Sequence, residues 1–248
     1  MKKVKVIIYG SNGKMGQSLL ACLRDNLKME LVGAIASNDT IDSFLPLSDV
    51  VIDFTNIEST LPLVEKCLKA KKPLVIGTTG HSKEARSQII AAAKEIPLVF
   101  SPNYSVGVNT LFWLTKKATE ILGPEYDSEI IEIHHRFKKD APSGTARRLA
   151  EIIAEVRHLD YEQDAHHGRV GMPGSRKETE IGVHAVRAGD VVGDHTVLLG
   201  TQGERLELIH RASSRETFAR GALRAAFWAC HQQPGLYDMQ DVLGLKKN

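Results

Sequence analysis

Val4-Lys5-Val6-Ile7-Ile8-Tyr9-Gly10-Ser11-Asn12-Gly13-Lys14-Met15-Gly16 is the passage that decides the fold. Its first six residues are a short apolar run, read as a buried strand. A turn follows with glycines at 10, 13 and 16, and then Met15, Leu19, Leu20 and Leu23 recur at helical spacing. Glycines between a strand and a helix let the backbone turn sharply and approach an anion. The helix N-terminus meets that anion with free amides and the positive end of its dipole. The spacing Gly-x-x-Gly-x-x-Gly is a variant of the dinucleotide-binding fingerprint. The plainer reading is a tight turn into a helix. No Gly-Lys-Ser/Thr follows at the spacing a P-loop needs.

Working outward, strands are expected over residues 30–36, 50–54, 73–76 and 97–100. Helices are expected over 57–70 and 82–95, the latter with Ser82 as N-cap. This alternation predicts a parallel sheet with helices on both faces. In such sheets ligands bind at the carboxyl ends of the strands. Two turns stand there: Gly77-Thr78-Thr79-Gly80 and Ser101-Pro102-Asn103-Tyr104. Each is read either as a ligand contact or as a simple connection. After the second strand, where an acid would hold the ribose hydroxyls, the chain has Ser37 and Asn38, with Asp39 farther along. Neutral side chains there tolerate a 2′-phosphate, and Lys14 is placed to help hold one. The expected cofactor is therefore NADPH or NADH.

The pattern changes in the second half. Helices are expected over 108–122 and 145–156, and a strand over 128–135. Residues 160–177 are polar and rich in Gly and His, and read as a loop. Strands over 180–187, 196–201 and 205–212 follow one another without helices. They predict an open mixed sheet, mainly antiparallel. A last helix over 215–231, capped by Ser214, returns to the first domain. The expected fold class is thus α/β: a Rossmann-like dinucleotide-binding domain (1–105 and 216–248) plus a second α+β domain for substrate binding and oligomerisation (106–215).

Bulk properties narrow the partners. With 42% hydrophobic and 25% charged residues the chain is an ordinary globular one, so disorder does not dominate. A net charge of +2 is too small to argue for nucleic acid as the main partner. No apolar stretch of about eighteen residues exists, so no membrane span is expected. The apolar run 4–9 is too short for a signal peptide. Cys22, Cys67 and Cys230 are odd in number and far apart, with no Cys-x-x-Cys pair. They are read as buried thiols in a reducing compartment, the cytoplasm.

The stretch Glu132-Ile133-His134-His135-Arg136-Phe137-Lys138-Lys139-Asp140-Ala141-Pro142-Ser143-Gly144-Thr145-Ala146 carries the chemistry. Two histidines, an arginine and two lysines crowd a strand-to-helix passage. A helix N-terminus with hydroxyls and free amides suits a carboxylate, and the cations beside it suit a doubly negative small molecule. His and Lys also supply proton-transfer groups. Each residue has a plainer reading. One histidine packs because neighbours in a strand face opposite ways, the lysines are solvated, and Ser143 only caps the helix. A metal site is not expected, since no His-Glu-x-x-His is present. Nor does Ser143 stand in a Gly-x-Ser-x-Gly elbow.

HHRFKKDAPSGTA resembles the signature of the 4-hydroxy-tetrahydrodipicolinate reductase family, also called dihydrodipicolinate reductase. GSNGKMG, VIDFT, IGTTG, SPNYSVGVN, VRAGDVVGDHTV and ASSRETFARGA agree, in the family's order over nearly the whole chain. The resemblance implies NAD(P)H-dependent reduction, with loss of water, of a cyclic 4-hydroxy dicarboxylate in lysine (diaminopimelate) biosynthesis. It implies cofactor contacts from Gly10, Ser11, Asn12, Gly13, Lys14 and Met15, from Gly77, Thr78 and Thr79, and from Ser101, Pro102, Asn103 and Tyr104. The cofactor-selecting position falls on Ser37. His134 matches the family's proton donor or acceptor and Lys138 its proton donor; His135, Gly144 and Thr145, with Ser143 in the same turn, match its substrate-carboxylate contacts. A homotetramer joined through the second domain's sheet is also implied. Two rival readings remain on the residues alone: an amino-acid-type dehydrogenase, and a cofactor-sensing protein without catalysis. Neither needs the His/Lys cluster.

Overall fold

The computed structural model describes residues 2–36 and 39–246. Ser37 and Asn38, expected from the sequence to bear on cofactor choice, lie outside the described residues. The chain divides into two compact units, Met1–Val106 with Arg215–Asn248, and Gly107–Ser214.

The first unit begins with β1 (Val4–Tyr9), α1 (Lys14–Arg24), β2 (Met29–Ile35), β3 (Val50–Asp53), α2 (Ile57–Lys69), β4 (Leu74–Ile76), α3 (Lys83–Ala92) and β5 (Pro97–Phe100). Side chains of a strand alternate between faces. In β1, Val6 and Ile8 pack with Leu19 and Leu23 of α1, while Ile7 packs with Leu63, Cys67 and Ile89 on the other side. Both faces are covered, so the strand reads as an unbroken apolar run. Ser82 caps α3 by accepting from the Ala85 amide, as expected. Of the cysteines only Cys67 is buried; Cys22 and Cys230 are half-buried, so the expectation of three buried thiols is corrected.

The second unit carries α4 (Val106–Leu122), whose first residue closes the first unit, then β6 (Asp127–His134), α5 (Gly144–Arg157), α6 (Tyr161–Asp164), β7 (Ala165–His167), β8 (Ile181–Arg187), β9 (Gly193–Thr201) and β10 (Glu204–Ala212). The sheet order is β10-β9-β6-β8-β7. β10 with β9 and β9 with β6 are antiparallel, whereas β6 with β8 and β8 with β7 are parallel. The sheet is mixed, but the antiparallel majority expected from consecutive strands is not found. The cause is β7, which lies in the polar passage expected to be loop. It is only three residues long and too polar to announce itself. Crossovers through α5 and through residues 168–180 make the parallel pairs.

That passage is held by charge. Arg169 pairs with Glu129 and Glu180, and Arg176 with Glu129 and Asp127. Burial alone would raise the Glu129 carboxyl; Arg169, His184 and Arg176 outweigh it and hold it at about 2. One sheet face carries Ile130, Val183, Val197 and Leu199, packed with Leu149, Ala150 and Ile153 of α5. The alternate residues Ile131, Ile133, Val186, Leu198 and Ile209 take the opposite face, where Val186 is 42% and Ile209 46% exposed.

The chain then completes the first unit with α7 (Glu216–Ala229), β11 (Gly235–Tyr237) and α8 (Met239–Val242). Ala219, Ala222, Ala225, Ala226 and Ala229 bury α7 in the first unit's core. Its N-cap is Arg215 rather than the expected Ser214. β11 extends the sheet to six parallel strands, β11-β5-β4-β3-β1-β2. This strand was not expected, because three residues are too few to show a period. Among the described residues no helix is long and apolar enough to cross a membrane.

Candidate active site

In the first unit, the parallel order places the carboxyl ends of β1, β3, β4 and β5 side by side. The glycine loop leaves β1 there. Gly10 and Ser11 both donate to the Ile35 carbonyl, at 2.9 and 3.0 Å. Gly10 has φ +92°, and a Cβ on it would stand 2.6 Å from the Phe54 carbonyl oxygen. A Cβ on Gly16 would stand 2.2 Å from the Gly10 carbonyl oxygen, so α1 starts in direct contact with the loop. Gly13 is the N-cap and makes no side-chain cap. The amides of Lys14, Met15 and Gly16 therefore have no acceptor within the helix and face outward from its first turn. Asn12 and Lys14 are exposed and Met15 half-exposed, whereas Ser11 is buried. The loop fits a pyrophosphate: bare backbone, outward amides and the dipole end coincide.

The next turns are braced from below. Asp53, fully buried at the end of β3, accepts from Thr55 Oγ1 at 2.5 Å, Thr60 Oγ1 at 2.9 Å and Thr78 Oγ1 at 3.2 Å. Thr55 N donates to Thr78 Oγ1 at 3.1 Å. Thr78 is thus locked, while Thr79 is exposed at the turn. Gly77 is required by packing, since a Cβ would meet the Phe54 ring at 2.1 Å. At the end of β5, Ser101 Oγ donates to the Asn103 carbonyl and Asn103 Oδ1 accepts from Ser105 N, which shapes that turn; Pro102 is exposed. Tyr104 departs from expectation. It is 2% exposed, and its hydroxyl donates to the Ile76 and Val99 carbonyls at 2.8 and 3.0 Å. Its side chain is a core brace, not a surface for a cofactor. Asp39 accepts from the Ala36 amide at 3.0 Å, so its carboxylate is engaged beside the end of β2.

In the second unit one buried carboxylate organises the His/Lys cluster. Glu132 is 0% exposed. Its Oε2 lies 2.5 Å from His134 Nδ1 and accepts from an Arg187 nitrogen at 2.9 Å. Its Oε1 accepts from the other Arg187 nitrogen at 2.9 Å and from the Ser143 amide at 3.0 Å. Burial taken alone would raise this carboxyl; Arg187, His134 and the Ser143 amide outweigh it and keep it below the usual carboxylate range. Burial pushes the His134 imidazole down against the opposite pull of Glu132, with Lys138 and Arg187 adding to the lowering. Lys138, with its side chain 20% exposed, donates to both oxygens of Asp140 at 2.9 and 2.8 Å. Lys139 is exposed.

Ser143 caps α5 by accepting from the Ala146 amide at 3.1 Å, and its Oγ lies 3.1 Å from His195 Nε2. It is 3% exposed, so the expected substrate contact from its side chain is replaced by a structural role. Gly144 is exposed, and a Cβ there would meet nothing within 4 Å. Gly144 and Thr145 are the first two residues of α5, and the space beside Gly144 is open. His135 falls just past the end of β6, and its Nδ1 is buried without a hydrogen-bond partner among the described residues. That vacant polar atom suits a bound carboxylate.

Sequence reasoning passed over Glu132, Arg187, Gly193 and His195. The His195 ring stands edge-on to His134 at 5.2 Å, and burial pushes it down to about 3, so it is neutral. A Cβ on Gly193 would come within 3.0 Å of His134 Nε2. Glu132 did carry a signal. It sits two residues before His134 in a strand, and so on the same face. Arg187, Gly193 and His195 come from other strands, and only the register of β8 and β9 against β6 brings them in.

Two family models match the chain: dihydrodipicolinate reductase, N-terminus, over residues 4–104, and dihydrodipicolinate reductase, C-terminus, over residues 107–243. The 4-hydroxy-tetrahydrodipicolinate reductase of Akkermansia muciniphila is 49% identical over 98% of this chain and 99% of its own. That of Syntrophus aciditrophicus is 45% identical over 98% of this chain and 99% of its own. Among solved structures, the dipicolinate-bound dihydrodipicolinate reductase of Paenisporosarcina sp. TG-14 superposes with a TM-score of 0.77 at 26% identity, covering 97% of this chain and 99% of that one. With both family models matched in order and relatives this similar along nearly their whole length, the chain belongs to the dihydrodipicolinate reductase family.

Proposed function

We propose that this chain is an NAD(P)H-dependent oxidoreductase that reduces 4-hydroxy-tetrahydrodipicolinate to tetrahydrodipicolinate, with loss of water, in lysine (diaminopimelate) biosynthesis. The observation that carries the reading is the Glu132–His134 pair at the end of β6, followed by Lys138 and the capped N-terminus of α5. A cofactor-sensing protein has no use for such a set. The dipicolinate in the solved relative is a ring dicarboxylate, the ligand class this helix terminus suits.

NAD(P)H would be held by Gly10, Ser11, Asn12, Gly13, Lys14 and Met15 at the pyrophosphate, with Gly77, Thr78 and Thr79, and Ser101 to Asn103, on the nicotinamide side. When bound, the nicotinamide supplies a hydride to the substrate ring. On the substrate side, His135 and the amides of Gly144 and Thr145 hold a carboxylate, while His134 and Lys138 manage the proton and the departing hydroxyl. A positioned acid stabilises charge that grows only in the transition state. This activity implies a cytoplasmic enzyme, where nicotinamide cofactors circulate.

The direct test is nicotinamide absorbance with substrate made fresh by the preceding synthase. Oxidation of both cofactors is expected, with NADPH no worse than NADH, because Asp39 is engaged with the Ala36 amide and Lys14 stands exposed in the first turn of α1. No oxidation of either cofactor removes the reading. A preference for NADH of about a hundredfold, roughly 2.7 kcal/mol, would show that an acid selects the ribose after all.

The apolar second face of the sheet, with Ile131, Ile133, Val186, Leu198 and Ile209, supports assembly into a homotetramer through that sheet. Sedimentation equilibrium should give four times the chain's 27.3 kDa. Val186→Glu should lower that mass, and an unchanged mass would place the interface elsewhere.

A further inference from the structure

The four acceptor positions of Glu132 are all filled by donors: two Arg187 nitrogens, the Ser143 amide and His134 Nδ1. An ionised carboxylate accepts and never donates. His134 Nδ1, 2.5 Å away, must therefore carry its proton toward Glu132. A neutral imidazole has one N–H, so Nε2 is left with a free lone pair. Burial keeps the ring neutral despite Glu132. Three other charged or titratable groups act on it, Lys138, Arg187 and His195; the first two disfavour a second proton, and His195 is itself neutral. Gly193 leaves Nε2 uncrowded, since any Cβ there would press on that atom at 3.0 Å.

We propose that Glu132 is a positioning residue for the reaction: it fixes His134 in the Nδ1-protonated tautomer, so that Nε2 is a proton acceptor beside the Lys138 donor that the family resemblance implies. This deepens the proposed function and rests on its assignment of His134 to proton transfer. The resemblance implies Lys138 as a proton donor and leaves His134 open as donor or acceptor; the tautomer decides the role of His134. The competing account is that Glu132 merely neutralises the partly buried Arg187.

The two accounts part on the tautomer. The uniformly ¹⁵N-labelled chain, without substrate at neutral pH, is recorded in a two-bond ¹H–¹⁵N spectrum, with His134 assigned by the signals lost in His134→Gln. The expected pattern is a protonated Nδ1 and an unprotonated Nε2. A protonated Nε2 overturns the proposal, and this measurement needs no variant of Glu132 to fold. Glu132→Gln should mix the tautomers and lower kcat by about 10–100-fold, with the Kd for NADPH unchanged. Glu132→Asp keeps a charge for Arg187 but is one methylene short of His134, and should lose activity to a similar degree. If Glu132 acts only on Arg187, Glu132→Asp keeps full turnover, which also overturns the proposal. In a His134→Ala background Glu132→Gln should cost little more, since its effect passes through the ring; full additivity would refute that route. Normal turnover of His134→Ala itself would remove the proton-transfer reading of His134 while leaving the tautomer result to stand on its own.

Discussion

Lys138→Ala should lower kcat by roughly 10²–10⁴-fold, the range for loss of a positioned proton-transfer group, and His134→Ala should fall in the same range. The structure separates the two neighbouring lysines that sequence leaves adjacent. Lys138 is mostly covered and gripped by both oxygens of Asp140, whereas Lys139 is exposed. A fixed ammonium can meet a reacting atom without first giving up conformational freedom, and a solvated one cannot. Lys139→Ala should therefore stay near the parent. Thr145→Ala should act mainly on KM, because a carboxylate contact made equally in ground and transition states lowers binding without slowing the bound complex. Steady-state kinetics on stably folded variants, with cofactor binding measured separately, checks the whole set. Near-normal turnover in Lys138→Ala beside a collapse in Lys139→Ala would move the acid to the next residue.

What could be read in the chain beforehand depended on whether the signal was local. β1, the glycine turn and α1 were legible because strand, turn and helix each have their own period or composition, and all three lie within residues 4–24. The His/Lys stretch was legible for the same reason. β7 and β11 were not, since three residues carry no period and their pairing depends on distant partners. Tyr104 and Ser143 were read toward ligands, yet both point inward. Tyr104 braces the ends of β4 and β5, and Ser143 joins a helix cap to His195. A residue in a functional turn can hold the turn without touching what binds there. The reverse happened with Arg187 and His195, ordinary in sequence and brought to His134 only by strand register.

Gly16→Ala should abolish measurable cofactor binding and destabilise the first unit, whereas Gly13→Ala should weaken the cofactor and leave the fold intact. The two glycines are three residues apart in one motif but constrained differently. A Cβ on Gly16 meets the Gly10 carbonyl oxygen at 2.2 Å and Ser11 backbone atoms at 2.7 Å, all of them main chain. These atoms cannot swing aside, because the Gly10 and Ser11 amides are tied to the Ile35 carbonyl. α1 must instead be pushed off, and Leu19 and Leu23 with it, out of the core they share with Val6 and Ile8. Overpacking of this kind costs about 1–3 kcal/mol of stability, and moving the first-turn amides away from the pyrophosphate should weaken NADPH by more than about 10²-fold. At Gly13 the added carbon would sit 3.4 Å from the Gly10 carbonyl oxygen, an ordinary contact, with φ at −73°. The apo protein should therefore keep its Tm. The methyl group would still project from the N-cap where the phosphates approach, so Kd should rise by roughly tenfold, about 1.4 kcal/mol. Urea unfolding of the apo variants and NADPH fluorescence titration separate the two effects. If Gly13→Ala binds NADPH as the parent does, the loop holds the cofactor from another side than the α1 N-terminus. If Gly16→Ala keeps both its stability and its Kd, the loop is free to move and the contact with the Gly10 carbonyl does not define it.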